Sequence, residues 1–196
     1  MKKTTQLLCI IALSLIFTSI NSFAQKGNHI YLGYGVASAD AIGNELADII
    51  VTSATNGQVT TTNSNYSGAV FAGYRGYITE KLELGGTFIF ERASKDVLSG
   101  GTQIGSVATN SYTVLAELKY NYINDESFRL HSGIGAGLAH SRISTTADAR
   151  TEKDKMNNFA YQVDAIGVSF GNKISISANA GFGYKGIINA VLAYGF

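Results

Sequence analysis

An all-β fold, an eight-stranded antiparallel up-and-down β-barrel that crosses a membrane, follows from three observations. The last ten residues, Ile187 to Phe196, set Ile188, Ala190, Leu192, Tyr194 and Phe196 against Asn189, Val191, Ala193 and Gly195. Such alternation gives a strand two unlike faces, and about ten residues is the length a tilted strand needs to span a bilayer. Seven segments upstream alternate in the same sense, one face apolar, the other holding glycine, small polar residues and the charges. Finally, no apolar run beyond the N-terminal one is long enough for a transmembrane helix, so a membrane must be crossed by strands.

The N-terminus has a separate role. Lys2 and Lys3 precede an apolar run from Leu7 to Phe17, and Ser22-Phe23-Ala24 places small residues three and one before a cut ahead of Gln25. Basic start, apolar centre and small-x-small site make residues 1–24 a cleaved signal peptide and 25–196 the barrel domain. Cleavage removes two lysines and no acid, taking the formal charge from +1 to −1. No basic excess points to nucleic acid. The single cysteine, Cys9, leaves with the signal; lipoprotein attachment would want it after the apolar stretch. Stability must then come from closed strand pairing and lipid burial rather than disulfides.

Taken in order, the first segment (His29 to Ala39) puts Ile30, Leu32, Tyr34 and Val36 outward, and the second (Tyr66 to Ile78) Tyr66, Val70, Ala72 and Tyr74. The third begins at Leu82 with Leu84, Phe88 and Phe90 outward; the fourth (Ser111 to Tyr122) presents Tyr112, Val114, Leu118 and Tyr120. The fifth begins at Phe128 with Leu130, Ile134 and Leu138 outward. The sixth (Phe159 to Val168) sets Phe159, Tyr161, Val163 and Ala165 against Ala160, Gln162, Asp164 and Ile166. The seventh sets Ile174, Ile176, Phe182 and Tyr184 outward, and the eighth is the C-terminal strand.

The opposite, inward face carries Arg75, Glu83, Glu91, Glu117, Lys119, Arg129, His131 and Asp164. A water-soluble barrel would bury the apolar face and expose the charges. Arg or Lys facing lipid at the midplane costs about 2–4 kcal/mol, and Arg92, His140 and Arg142, which share the outward parity, fall at or beyond strand ends. The polarity therefore predicts a barrel with lipid outside. Links after the second, fourth and sixth strands are short, as periplasmic turns are. Those after the first, third and fifth are long and polar, as extracellular loops are. The last, Lys185-Gly186, is tight and predicts a low rim. An even strand number puts both ends of the barrel on the periplasmic side.

In the first loop, Ile42, Leu46, Ile49 and Ile50 share one face of a short helix that Asp40 could cap. Its apolar face is expected to fold onto the barrel mouth or rim, the other reading being a binding element. Val59 to Asn65 is polar and could extend strand two above the membrane. Tyr120, Tyr122, Phe128, Phe170, Tyr194 and Phe196 form one expected aromatic belt; Tyr66, Phe90, Phe159, Phe182 and Tyr184 form the other. Proline is absent, which suits strands whose every N–H belongs to a ladder.

Eight strands enclose only enough room for side chains, so the inward charges are expected to form an ion network that plugs the lumen and fixes register. A narrow polar conduit, or a proton-linked site at His131, is the sharper alternative. Gly181 to Gly186 matches G-x-G-x-x-G by letter, but a strand follows where nucleotide binding needs a helix. His29, His131 and His140 lack metal-ligand spacing, and neither metal nor cofactor is expected. Lipid A deacylases place a His and a Ser two residues apart on one strand face. Here Ser141 adjoins His140 and points to the other face, so no enzyme is expected.

The mature chain as a whole resembles the small OmpA/OmpX-like outer-membrane barrels, including porin-family proteins of that size. In them a terminal Phe with aromatic or apolar residues before it at alternate positions is the assembly signal, here Tyr194 and Phe196. The resemblance implies an integral outer-membrane protein, a monomer, surrounded by outer-membrane lipids and lipopolysaccharide and recognised by the barrel-assembly machinery through its C-terminal strand. The peptidoglycan-binding domain of larger relatives is not expected. A structural or surface-interaction role is the first expectation, with no extracellular ligand named by the sequence. A narrow channel for small hydrophobic or polar solutes is the alternative.

Overall fold

Hydrogen bonding closes into a ring. A computed structural model describes residues 27–147 and 150–196; the expected signal peptide, residues 1–24, lies outside the described residues. In chain order the elements are β1 (Asn28–Val36), α1 (Ala39–Ala54), β2 (Val59–Tyr66), β3 (Ala69–Tyr77), β4 (Leu82–Ser99), β5 (Thr102–Asn124), β6 (Phe128–Ala147), β7 (Arg150–Phe170), β8 (Ile174–Gly183) and β9 (Ile188–Gly195). Every pairing from β3 through β9 is antiparallel between neighbours, and β1 joins both β3 and β9. β2 and β3 both pair with β4, one above the other, so nine segments make eight staves. Reciprocal bonds between Asn28 and Phe196 (2.8 and 2.9 Å) close the seam at one end.

The polarity is inverted relative to a soluble protein. Leu32, Val114, Ile134, Leu138, Phe159, Phe170, Ile176 and Leu192 are all more than half exposed on the outer wall. Glu83, Lys119, Arg129, His131 and Asp164 are more than nine-tenths buried inside. Water would penalise both choices, whereas a bilayer rewards the first and spares the second. This is the polarity of a membrane-spanning β-barrel.

The strands are of two heights. β1, β3, β8 and β9 have 9, 9, 10 and 8 residues, which is enough to span. β4, β5, β6 and β7 have 18, 23, 20 and 21, and continue above the bilayer as a blade edged by β2. The long polar loops expected after the third and fifth strands are therefore strand. β4 turns into β5 through Gly100-Gly101, both in the left-handed region (φ 56° and 82°), which suits a two-residue hairpin. Polarity alternation fails there because both faces of the blade meet water, not because pairing stops. The polar Val59–Asn65 stretch does extend the second stave upward, as β2.

Five other expectations change. The helix is capped by Ser38, whose Oγ accepts the Ala41 N–H at 3.0 Å, rather than by Asp40, which lies in its first turn. Its apolar stripe does not pack on the barrel: Leu46, Ile49, Ile50 and Val51 are exposed. The helix instead leans on the inner side of the blade through Asn44, beside Tyr66, Val107 and Thr109, and through an Asp48–Lys95 ion pair. Tyr66 is not in the lipid belt, because one residue too many at Ser67-Gly68 pairs it with Ala93 and turns it toward the helix. Ile166 faces lipid, since the bulge at Ala165 reverses parity between Asp164 and Ile166. Tyr184 is buried, turned inward past Gly183 (φ 140°).

Candidate functional site

The barrel interior is where the buried chemistry lies. In the half nearer the Asn28–Phe196 seam, Glu83 stands at the start of β4 and receives three partners. Arg75 Nε lies 3.2 Å from one carboxylate oxygen, Lys119 Nζ 3.5 Å from the other, and Asn121 Nδ2 donates to that second oxygen at 2.7 Å. The Arg75 guanidinium also lies over the Tyr31 ring, 4.3 Å from its centroid. Two cations and one amide around one carboxylate is the arrangement a buried charge requires.

Tyr31 joins this cluster to a second. Its hydroxyl donates to Glu117 Oε2 at 3.0 Å, and Thr87 Oγ1 donates to the same oxygen at 2.5 Å. The other Glu117 oxygen lies 2.7 Å from Lys185 Nζ, which also reaches Asp164 Oδ2 at 2.8 Å. Gln162 completes the group: its Nε2 donates to Asp164 Oδ1, and its Oε1 accepts the Lys185 backbone N–H, both at 2.8 Å. The link between β8 and β9 thus folds into the lumen, with the Lys185 backbone against β1 at Gly35 and its side chain bridging two carboxylates.

The eight inward charges separate in the structure. Arg75, Glu83 and Lys119 share one cluster, while Glu117 and Asp164 share the other. His131 joins neither. Its Nε2 pairs with Asn179 Oδ1 at 2.8 Å, and Asn179 Nδ2 donates to Asn189 Oδ1 at 2.7 Å. The Asn179 oxygen is therefore the acceptor and His131 Nε2 the donor. Glu91 is buried below the helix start, beside Ser38 and Asp40, away from the interior cations. Arg129 sits at the opening beside the C-terminus, lining a cavity of about 420 Å³ with His29, Tyr77, Asp125, Glu126 and Lys173.

Lys185 is the interior residue that strand alternation does not reveal, because it falls in the tight link between the last two strands. A signal existed. The inward set held four carboxylates (Glu83, Glu91, Glu117 and Asp164) but only three permanent cations (Arg75, Lys119 and Arg129), and Lys185 restores balance.

Among the described residues, two small voids lie between the clusters. Voids of about 20 Å³, lined by Tyr31, Arg75, Glu117, His131 and Lys185, and about 10 Å³, lined by His29, Glu83, Lys119 and Arg129, are each of a single water's size. His140 and Ser141 are on opposite faces. His140 Nδ1 bonds Asn157 Oδ1 outside at 2.7 Å, and Ser141 bonds Ser111 inside at 2.9 Å. At the C-terminus, Tyr194 and Phe196 lie outward with stacked rings 6.4 Å apart.

No protein-family model matches the sequence, and no curated protein does. Among solved structures the chain is similar to Ail, the attachment invasion locus protein of Yersinia pestis, in complex with the heparin analogue sucrose octasulfate. Identity is 14%, covering 87% of this chain and 97% of that one, with a TM-score of 0.46. It is similar to the N-terminal β-barrel domain of Pseudomonas aeruginosa OprF at 10% identity, 87% and 98% coverage and a TM-score of 0.39. For the outer membrane protein OprG of Pseudomonas aeruginosa the values are 9%, 88%, 91% and 0.41.

Proposed function

We propose that this protein is a non-enzymatic, non-conducting scaffold of the outer membrane that holds an extracellular blade in place for surface interactions. One observation carries the reading: four adjacent strands exceed a membrane span by about ten residues each, on the order of 30 Å of strand, while the rest stop near the bilayer. A polar sheet that tall serves nothing inside the membrane. It offers instead a rigid, hydrogen-bonded surface outside, with α1 braced along its inner side.

The interior supports the scaffold half of the proposal. Two linked ion clusters reach across the lumen, and the two voids described between them are each of a single water's size, which supports a lumen without a water file. The outward Tyr194–Phe196 pair, on the strand that closes the ring, is the element proposed to be read by the assembly machinery. The test is conductance of the refolded full chain in a planar bilayer. A silent bilayer with folded protein inserted supports the scaffold, and resolved channel steps would replace it with the solute-passage reading.

A further inference from the structure

The outer wall of β4 to β7 changes character with height in regular steps. One cross-strand row facing lipid is Phe88, Val114, Leu138 and Phe159. The next outward row is Phe90, Tyr112, His140 and Asn157, and the row above that is Arg92, Asn110, Arg142 and Lys155. Then come Ser94, Ala108, Ser144 and Lys153. Successive outward rows are about 7 Å apart along a strand. Apolar, aromatic and cationic rows thus follow in the order of acyl chains, interface and headgroup phosphates.

Three features mark the cationic row as built for an external anion. Arg142 and Lys155 are direct cross-strand partners, a like-charge pairing that destabilises a sheet unless something neutralises it. Arg92, Arg142, Lys153 and Lys155 are all exposed, and none has an ion-pair partner among the described residues. The nearest acids on β7, Glu152 and Asp154, fall on the opposite face through the alternation E-K-D-K, and Asp96, two rows higher on β4, is held by Asn63 at 2.8 Å. The Arg142 guanidinium lies 5.8 Å from the centroid of the Tyr112 ring, which positions it at the interface. The short-strand side ends instead in Val36, Phe182 and Ile188, with no outward-facing cation beside them among the described residues.

We propose that Arg92, Arg142 and Lys155, with Lys153 above them, form a one-sided docking face for the phosphate groups of outer-leaflet lipid. The bound phosphates neutralise the Arg142–Lys155 pair and fix the base of the blade to the membrane surface. The proposal rests on the membrane-spanning reading of the barrel and is independent of whether the lumen conducts.

The test uses the refolded full chain in phosphatidylcholine nanodiscs doped with bisphosphorylated lipid A or with enzymatically dephosphorylated lipid A. After detergent extraction, lipid A retained per barrel is counted by mass spectrometry. Retention of the phosphorylated lipid should exceed that of the dephosphorylated one on the order of a hundredfold, as expected for three or four cations at an anionic surface. R92Q/R142Q/K155Q should remove that difference, whereas K81Q/K173Q, at the other end of the barrel, should keep it. Equal retention of the two lipids, or an undiminished difference in the triple variant, overturns the site. Displacement of the lipid by millimolar inorganic phosphate would make it a free-anion site and overturns the lipid assignment. Heat resistance of the triple variant's folded band separates loss of the site from loss of the barrel; if the triple variant does not insert, R142Q alone must lower retention or the proposal fails.

Discussion

Lys185 Nζ lies 2.7 Å from Glu117 Oε1 and 2.8 Å from Asp164 Oδ2, so a residue from the link between the last two strands ties together β5 and β7 across the lumen. Both acids are nearly buried, and removing their shared cation would strand two carboxylates. Lys185→Met should therefore destabilise the barrel by about 3–5 kcal/mol, the cost of breaking a buried charge pair from one side. Combining it with Glu117→Gln and Asp164→Asn should recover most of the loss. Urea unfolding of the refolded protein, followed by tyrosine fluorescence, measures both. Equal midpoints for wild type and Lys185→Met would mean that the bridge carries no stability.

Glu83 provides the companion case in the half nearer the Asn28–Phe196 seam. Its partners are Arg75, Lys119 and Asn121, and Glu83→Ala leaves two cations facing each other in the lumen. A loss of about 3–5 kcal/mol is expected, against changes within about 0.5 kcal/mol for Glu80→Ala in the exposed turn nearby. The temperature at which the folded band on a gel converts to the unfolded one ranks them. The prediction fails if Glu83→Ala and Glu80→Ala melt together.

Much of this was readable from the chain because polarity alternates wherever one face meets lipid and the other the lumen. That rule placed Glu83, Glu117, Lys119 and Asp164 inside, and Leu138 and Phe159 outside. It lost its grip in two physical situations. Above the bilayer both faces of β4 to β7 are wet, so strands such as Arg150 to Asn158 look like loop. At bulges the parity reverses without any mark in composition, which misplaced Tyr66 and Ile166. Lys185 was hidden for a third reason. A turn residue has no face to assign, and only the charge count pointed to it. The exposed Leu46–Val51 stripe of α1 shows the limit from the other side, since helical periodicity identifies an apolar face but not what it packs against.

Close packing of the inward-folded link makes a sharp steric test. A methyl group at Gly35 would lie 1.7 Å from the Lys185 carbonyl oxygen, a backbone atom that cannot swing away. At Gly133 the nearest atom would be the Leu118 carbonyl oxygen at 3.4 Å, an ordinary contact. Gly35→Ala should thus expel the link or cost more than about 1–3 kcal/mol of overpacking, while Gly133→Ala should be nearly neutral. Folding yield into detergent micelles, read as the heat-modifiable fraction, tells them apart. A well-folded Gly35→Ala would show that the link does not enter the lumen.

Asp40 ties the seating of α1 to pH. It sits in the helix's first turn, where a negative charge is favoured by the helix dipole, yet its Oδ2 is buried without a hydrogen-bond partner. Burial raises its pKa above the ordinary carboxylate value, outweighing the lowering by Ser111 and Tyr184. The folded state therefore holds this proton more tightly than the unfolded segment does. The resulting stabilisation is complete below the unfolded carboxylate pKa and is lost as pH rises through the raised value. Amide hydrogen exchange over residues 39–54 should accordingly show more protection at mildly acidic than at neutral pH, after correction for intrinsic exchange rates. Asp40→Asn, which keeps the shape and removes the charge, should raise neutral-pH protection severalfold and weaken the pH dependence, leaving only what the neighbouring buried Glu91 contributes. Unchanged dependence in Asp40→Asn would assign the effect to another group, and protection that increases toward neutral pH in the wild type would reverse the sign of the argument.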